Sequence, residues 1–475
     1  IVNELAQPLH TFKLPVVSVQ NKPGQYEQDA EAIFQSLTKL LQQSLAVAQE
    51  KDIACVAFSA AMHSLLAVNK AGIPLCNALT WADTQSKAYA HQLKSSAACE
   101  NIYMQTGTPI HAMSPLCKIA WIKNEQPELF ANTHKFISIK EYIFHRLFRK
   151  YVVDAGIASS SGMLDIYNVC WHKEALEFAG IDESRLSQVV PATHSESLLF
   201  KDIKGWLNLT LPIPFVTGGN DGCLANLGCG ALNNNEAALT IGTSGAVRVT
   251  IPKPLQANQE GLFRYMLTKD LYVTGGPINN GGIALQWFAE NFLSGSIQSP
   301  EDFSAFMQLA AKAPPTANGL VFLPYLLGER APVWDEDATG MFYGLRLSHS
   351  KEHLTRAVIE GISFSLLQIL HATEAANIEV NKVLVSGIVT QSHWWMQLLA
   401  DIFGKTIILS DQADASAMGA AFMGMYAMGI IDDLSTVKKF IQIAKTFEPD
   451  AGTHALYQKH FQVYASLYPK FKTTL

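Results

Sequence analysis

Lys382-Val383-Leu384-Val385-Ser386-Gly387 is a short β-rich run that stops on a glycine. Behind it, His393 to Phe403 carries Trp394, Trp395, Leu398, Leu399 and Ile402 at helical spacing. The two segments predict a strand and then a helix. Ile53-Ala54-Cys55-Val56-Ala57-Phe58 opens another such unit near the start of the chain. Alternation of this kind predicts an α/β architecture and argues against a helical bundle. Three consecutive asparagines, Asn233-Asn234-Asn235, follow Leu232 and favour a turn or linker. They divide the chain into two α/β domains, 1–232 and 233–475, with a cleft between them of the kind that holds small ligands.

Composition narrows the classes of function. The chain has 475 residues, 48% hydrophobic and only 16% charged, which excludes a disordered chain and a coiled coil. A net charge of −6 offers nucleic acid no attraction. Seven cysteines scattered without a Cys-x-x-Cys pair argue against a disulfide framework or thiolate zinc site, and fit a reducing cytoplasm. Ile1-Val2-Asn3-Glu4 has neither the basic start nor the apolar core of a signal peptide. Ala415 to Ile431 is uncharged over ~17 residues, just short of a bilayer span. Its Gly, Ala and Met content predicts a buried, closely packed helix instead.

Four segments have the residue types for chemistry. Thr217-Gly218-Gly219-Asn220-Asp221-Gly222 follows an apolar run. Asp221 is either a turn or helix-capping residue, or a carboxylate open to a cleft that takes a proton from a hydroxyl attacking phosphorus. Leu239 to Val247 reads strand, tight turn, strand. Gly242, Thr243 and Ser244 form either an ordinary hairpin turn or a loop whose N–H and hydroxyl groups meet an anion. It lacks the Gly-Lys-Ser/Thr ending of a Walker A loop. Gly281 and Gly282 precede a helix-like stretch from Ile283 to Phe292, and serve either a phosphate at the helix N-terminus or tight strand–helix packing. Met62-His63 and Trp81-Ala82-Asp83 could bind a sugar-like chain, through stacking on Trp81 and hydrogen bonds to His63 and Asp83. His349-Ser350-Lys351-Glu352-His353 matches a zinc-protease pattern, but Ser350 reads as a helix N-cap, which leaves His349 outside the helix and the two rings apart.

Taken together these residues resemble the FGGY family of carbohydrate kinases. Met113-Ser114-Pro115-Leu116-Cys117-Lys118-Ile119-Ala120-Trp121-Ile122-Lys123-Asn124-Glu125 is similar to the family's first pattern. Gly340-Met341-Phe342-Tyr343-Gly344-Leu345, with His353-Leu354 and Ala357-Val358-Ile359-Glu360, is similar to the second, and Pro23 to Asp29 to an N-terminal Pro-Gly-x-x-Glu-Gln-Asp segment. The likeness runs from about residue 20 to about residue 430. It implies two actin-like, ribonuclease-H-like ATPase domains, the first for the sugar and the second for ATP with Mg²⁺. It implies Asp221 as the catalytic aspartate and Met62, His63, Trp81 and Asp83 as substrate residues. Gly242, Thr243, Ser244, Gly282, Gln286, Gly387 and Ser392 are implied at the nucleotide; metal ligands are left unassigned.

Finer details, Ser59 to Ser64, Phe136 to Tyr142 and Asn279-Asn280-Gly281-Gly282, are similar to the members that act on gluconate. The expected reaction is ATP-dependent formation of 6-phosphogluconate in the cytoplasm, with a small sugar acid or polyol as the partner and a homodimer admitted. Another polyol such as xylulose or ribulose is the nearer alternative acceptor, and a non-catalytic sugar-binding protein the more distant one. A carboxylate substrate calls for a cation, with Lys140, Arg248 and Arg264 as candidates. Two departures from the family stand out. Family members open with a strand and an Asp-x-Gly-Thr phosphate loop, so a segment of about 20 residues is expected ahead of Ile1. Ile388 and Gln391 replace a usual glycine and arginine, and the branched Ile388 is expected to crowd the adenine side.

Overall fold

The computed structural model describes residues 1–255, 261–293, 295–410 and 414–472. Ten strands and six helices position the site. In chain order the strands are β1 (Val56–Ala60), β2 (Ser195–Glu196), β3 (Phe215–Asn220), β4 (Glu236–Ile241), β5 (Gly245–Ile251), β6 (Phe263–Met266), β7 (Tyr272–Ile278), β8 (Lys382–Gly387), β9 (Thr406–Ser410) and β10 (Ile443–Phe447). The helices are α1 (Pro115–Glu125), α2 (Asp221–Gly228), α3 (Gly282–Phe292), α4 (Lys351–Ala375), α5 (His393–Phe403) and α6 (Ala415–Ala427).

The chain forms a mixed α/β fold of two domains. In the first half β3 lies between antiparallel β2 and parallel β1. The strand near residue 53 begins three residues later than its apolar run predicts, because Ile53 closes a short helical turn over Glu50–Asp52. In the second half seven strands form one sheet in the order β6-β7-β5-β4-β8-β9-β10. β4 and β5 are an antiparallel hairpin, and β8 joins β4 in parallel with Ile241 opposite Gly387. The side chains of β4 and β8 that face α4 are almost wholly apolar. Leu239, Ile241, Val383 and Val385 meet Ile362, Leu366 and Ile369 in one buried cluster. Each such side chain contributes about 1.5–3 kcal/mol.

The uncharged stretch after Asp414 is a buried helix, α6, started by the Asp414 side chain accepting from the Ala417 N–H. Among the described residues no helix is long and apolar enough to cross a membrane. α6 crosses α2 so closely that Gly228 and Gly419 have no room for a side chain. Leu224, Leu227, Met418, Phe422 and Met423 seal the crossing. A helix of the second half thus sets where α2, and the residue that begins it, sits in the first.

Candidate functional site

β3 delivers the chain to the first turn of α2, where Asn and Asp compete for one capping position. Asn220 takes it: its Oδ1 accepts the Cys223 N–H at 2.7 Å, and its Nδ2 donates to the Gly156 carbonyl at 3.0 Å. Asp221 is therefore spared. Its Oδ1 accepts the neighbouring Gly222 N–H at 2.8 Å, and among the described residues no cation stands within ion-pair distance of it. Burial raises the Asp221 carboxyl above the usual range, while the charge of Arg248 and backbone N–H groups pull it back. A carboxylate so placed is a proton acceptor with a free oxygen.

Around it stand residues from both halves. A Cβ added at Gly222 would lie 3.0 Å from Met62 Cε and 3.2 Å from Arg248 Nε, so both side chains flank the start of α2. His63 is buried, and its Nδ1 donates to the Ser160 carbonyl at 2.8 Å. Burial and the nearby charges of Lys118 and Arg330 hold its pKa well below the usual imidazole range. The ring is thus neutral at pH 7, and Nε2 is left as an acceptor for a hydroxyl. Trp81 is 39% exposed, and the Arg330 guanidinium lies 4.9 Å from its ring centre.

Asp83 corrects the sequence expectation. It is 0% exposed, and its oxygens accept from the Tyr26 and Gln85 N–H groups and the Gln85 side chain. It holds the segment behind Trp81 and does not face a ligand. The Lys118 Nζ, also 0% exposed, donates to the carbonyls of His63 at 2.7 Å and Thr80 at 2.6 Å. One buried lysine on α1 thereby ties the segment of His63 to the segment of Trp81. Burial lowers its pKa to about 7.

Two of the three candidate cations are already engaged. Lys140 is paired with Asp154 and donates to the Thr217 and Gly219 carbonyls. Arg264, 1% exposed, donates to the carbonyls of Leu255, Tyr103 and Met104. Arg248 is not engaged: its Nε and Nη1 are buried with no partner.

The hairpin turn Gly242 to Ser244 lies at the carboxyl end of β4, beside the carboxyl end of β8, the edge where open α/β sheets take ligands. Gly242 and Thr243 are exposed. Gly281 and Gly282 are explained by packing: their N–H groups donate to the Thr243 and Gly242 carbonyls at 3.2 and 2.7 Å, and a Cβ on either would strike the turn. The Gly282 N–H expected at a nucleotide is thus already used. Gln286, one turn on, accepts the Ile297 N–H and donates to Glu290. Gly387 has φ +91°, and a Cβ there would lie 2.2 Å from the Ile241 carbonyl oxygen, so only glycine fits. Ser392 caps α5 by accepting the Trp395 N–H and is buried, which gives it a structural role at the position expected to meet adenosine. Ile388 is half-buried and packs against the hydrophobic core; Gln391 is exposed.

A loop of the second half, Leu327 to Ala338, closes over the first. Besides Arg330 on Trp81, Trp334 packs edge-on to His111 at 5.6 Å, and the Lys94 Nζ donates to the Trp334 carbonyl. Glu336 stands 3.3 Å from His111 and 3.6 Å from Lys94, and Lys87 pairs with Asp337. Sequence reasoning missed this loop. Its signal is a charged pair, Glu329-Arg330, following an apolar run and preceding Pro332. A cavity of about 710 Å³ lies elsewhere, beside Asp29, Gly72 and Arg149. Its Arg146 already pairs with Glu31, so the chemistry points to the residues gathered around Asp221. Ser350 precedes α4 as expected, yet the His349 and His353 rings approach to 5.5 Å, closer than expected. Their Nδ1 atoms are occupied by the Arg346 and Ser350 N–H groups. No three metal-ligating side chains gather among the described residues.

Residues 1–228 match the N-terminal domain, and residues 237–428 the C-terminal domain, of the FGGY family of carbohydrate kinases. The chain is 39% identical over 443 residues to the gluconokinase of Bacillus licheniformis, across 92% of this chain and 86% of that one. The crystal structure of gluconate kinase from Lactobacillus acidophilus superposes with a TM-score of 0.90 at 33% identity, covering 96% of this chain and 92% of that one. A ligand-bound xylulose kinase from the same organism gives 0.93 at 31% identity, covering 99% and 95%.

Proposed function

The chain belongs to the FGGY family of carbohydrate kinases and is an ATP-dependent sugar kinase; from that premise we propose that it phosphorylates D-gluconate to 6-phospho-D-gluconate. The observation that carries the chemistry is the Asp221 carboxylate, relieved of capping by Asn220 and left with a free oxygen at the crevice. Asp221 accepts the proton of the terminal hydroxyl as that oxygen attacks phosphorus. His63 Nε2 and the face of Trp81 orient the carbon chain, Met62 packs beside it, and Lys118 fixes the segments that carry His63 and Trp81. The identity to a gluconokinase supports gluconate as the acceptor. The likeness to a xylulose kinase keeps a ketopentose as the second reading.

The nucleotide side fits a polyphosphate. Gly242, Thr243 and Ser244 present a glycine, two hydroxyls and exposed backbone at the sheet edge, with Gly387 beside them and Gln286 along α3. Gly282 serves here by holding the turn in place, and Ser392 by starting α5. Protein ligands for Mg²⁺ stay unassigned; bound with ATP beside Gly242 to Ser244, the ion would neutralise charge on the phosphates. Positioning dominates such a reaction. The loop from Leu327 to Ala338 contributes by excluding water from the crevice. We place the division between the two domains at the exposed turn after Leu232, giving 1–232 and 233–475, and the enzyme in the cytoplasm, which suits its seven free cysteines.

A coupled assay with ATP and Mg²⁺ against D-gluconate, D-xylulose, D-ribulose and glycerol tests the acceptor. The expected result is the highest kcat/KM for gluconate. Turnover of xylulose with none of gluconate would move the assignment to the second reading.

A further inference from the structure

One cation beside the start of α2 makes no ion pair among the described residues. Arg248 lies on β5, flanks Gly222 opposite Met62, and buries its Nε and Nη1 without a hydrogen-bond partner. Leaving charged donors unsatisfied in a buried place is costly, and the carboxylate whose charge Arg248 feels most, Asp221, stands beyond ion-pair distance and makes no hydrogen bond to it. The other cations of the crevice are committed: Lys140 to Asp154 and two carbonyls, Lys118 to two carbonyls, and Arg330 to Asn279 and the Ile278 carbonyl. Position along the strand adds a second argument. β5 begins at Gly245, immediately after the turn assigned to the phosphates, and Arg248 is three residues further on. At the rise of an extended strand that is ~10 Å between the two backbone positions, on the order of the length of an extended six-carbon acid.

We propose that Arg248 binds the carboxylate of the sugar-acid substrate and is the residue that makes this kinase prefer an acid over a neutral polyol. A guanidinium pairs with a carboxylate through two parallel N–H···O bonds, a geometry that a neutral alcohol end cannot complete. The inference rests on the gluconate reading above and names the group that recognises its charged end.

The test compares kcat/KM for D-gluconate with that for the neutral six-carbon polyol D-glucitol in the parent enzyme, Arg248→Met and Arg248→Lys. The expected result is that Arg248→Met lowers the gluconate-to-glucitol preference by about 10- to 100-fold, through KM for gluconate. Arg248→Lys, which keeps the charge but loses the fork, should fall in between. Should Arg248→Met not fold, the lysine variant decides: an unchanged preference overturns the proposal. A parent enzyme that prefers gluconate, with variants that keep that preference, overturns the role of Arg248 and leaves the gluconate reading standing. Equal loss of kcat for both acceptors, with a shifted acid limb of the pH profile, overturns it too and assigns Arg248 to the ionisation of Asp221. A parent enzyme that prefers glucitol or xylulose defeats the gluconate reading and this inference together.

Discussion

Replacing Gly419 by alanine puts a methyl group into a helix crossing that has no room for it. The added Cβ would stand 1.9 Å from the Leu224 carbonyl oxygen, where ordinary contact begins at 3.4 Å, so α6 and α2 must part by about 1.5 Å. The obstructing atoms are backbone and have no rotamer to move into. Asp221 begins α2 three residues before Leu224 and shares its displacement. A misplacement of about 1 Å at a reacting group costs roughly 100-fold in rate, so kcat should fall at least that far. Overpacking costs about 1–3 kcal/mol, while alanine regains about 1 kcal/mol of helix propensity; the variant should remain folded. Gly424→Ala on the same helix is the control. It has the same gain in propensity, and its Cβ meets the Cys55 Sγ at 2.8 Å and the Ala57 Cβ at 3.1 Å, side chains on β1 or just before it and not the backbone of α2. Its kcat should stay within about threefold of the parent. Steady-state turnover of gluconate, read as ADP release alongside thermal melting, decides the matter. A folded Gly419→Ala enzyme with parental kcat would show that the crossing does not set the position of Asp221.

Lys118→Met removes the tie between the carbonyls of His63 and Thr80 and should raise KM for the sugar by about tenfold or more, with a smaller change in kcat; an unchanged KM would make Lys118 a bystander. Glu329 is buried, and burial raises its carboxyl to about 7. The folded state therefore binds its proton more tightly than the unfolded chain. Stability from this group is full below about pH 4.5 and is lost as pH rises toward 7, by about 3 kcal/mol at most. Glu329→Gln should flatten that slope in denaturant melts across this window, and an equally steep slope in the variant would assign it to another group.

Strand and helix alternation was legible because β-branched runs ending in glycine and apolar residues at helical spacing need no tertiary information, as at Lys382–Gly387 and His393–Phe403. Asp221 was legible as a carboxylate on a strand-to-helix turn. Its freedom was not, because only the fold shows Asn220 taking the cap. Asp83 and Ser392 misled for the opposite reason: the residue types suit ligands, while the fold turns both to backbone N–H groups. Arg330 escaped notice because its partner, Trp81, lies far away in the chain and meets it only when the loop closes.

Turnover by Asp221→Asn bears most directly on the account, since the substitution keeps the side chain's shape and removes the proton acceptor. With ATP, Mg²⁺ and D-gluconate, kcat should drop by about 100-fold or more, while calorimetry shows gluconate still bound. A variant that forms 6-phosphogluconate at a rate within a few-fold of the parent would take Asp221 out of the reaction, and the proposed mechanism with it.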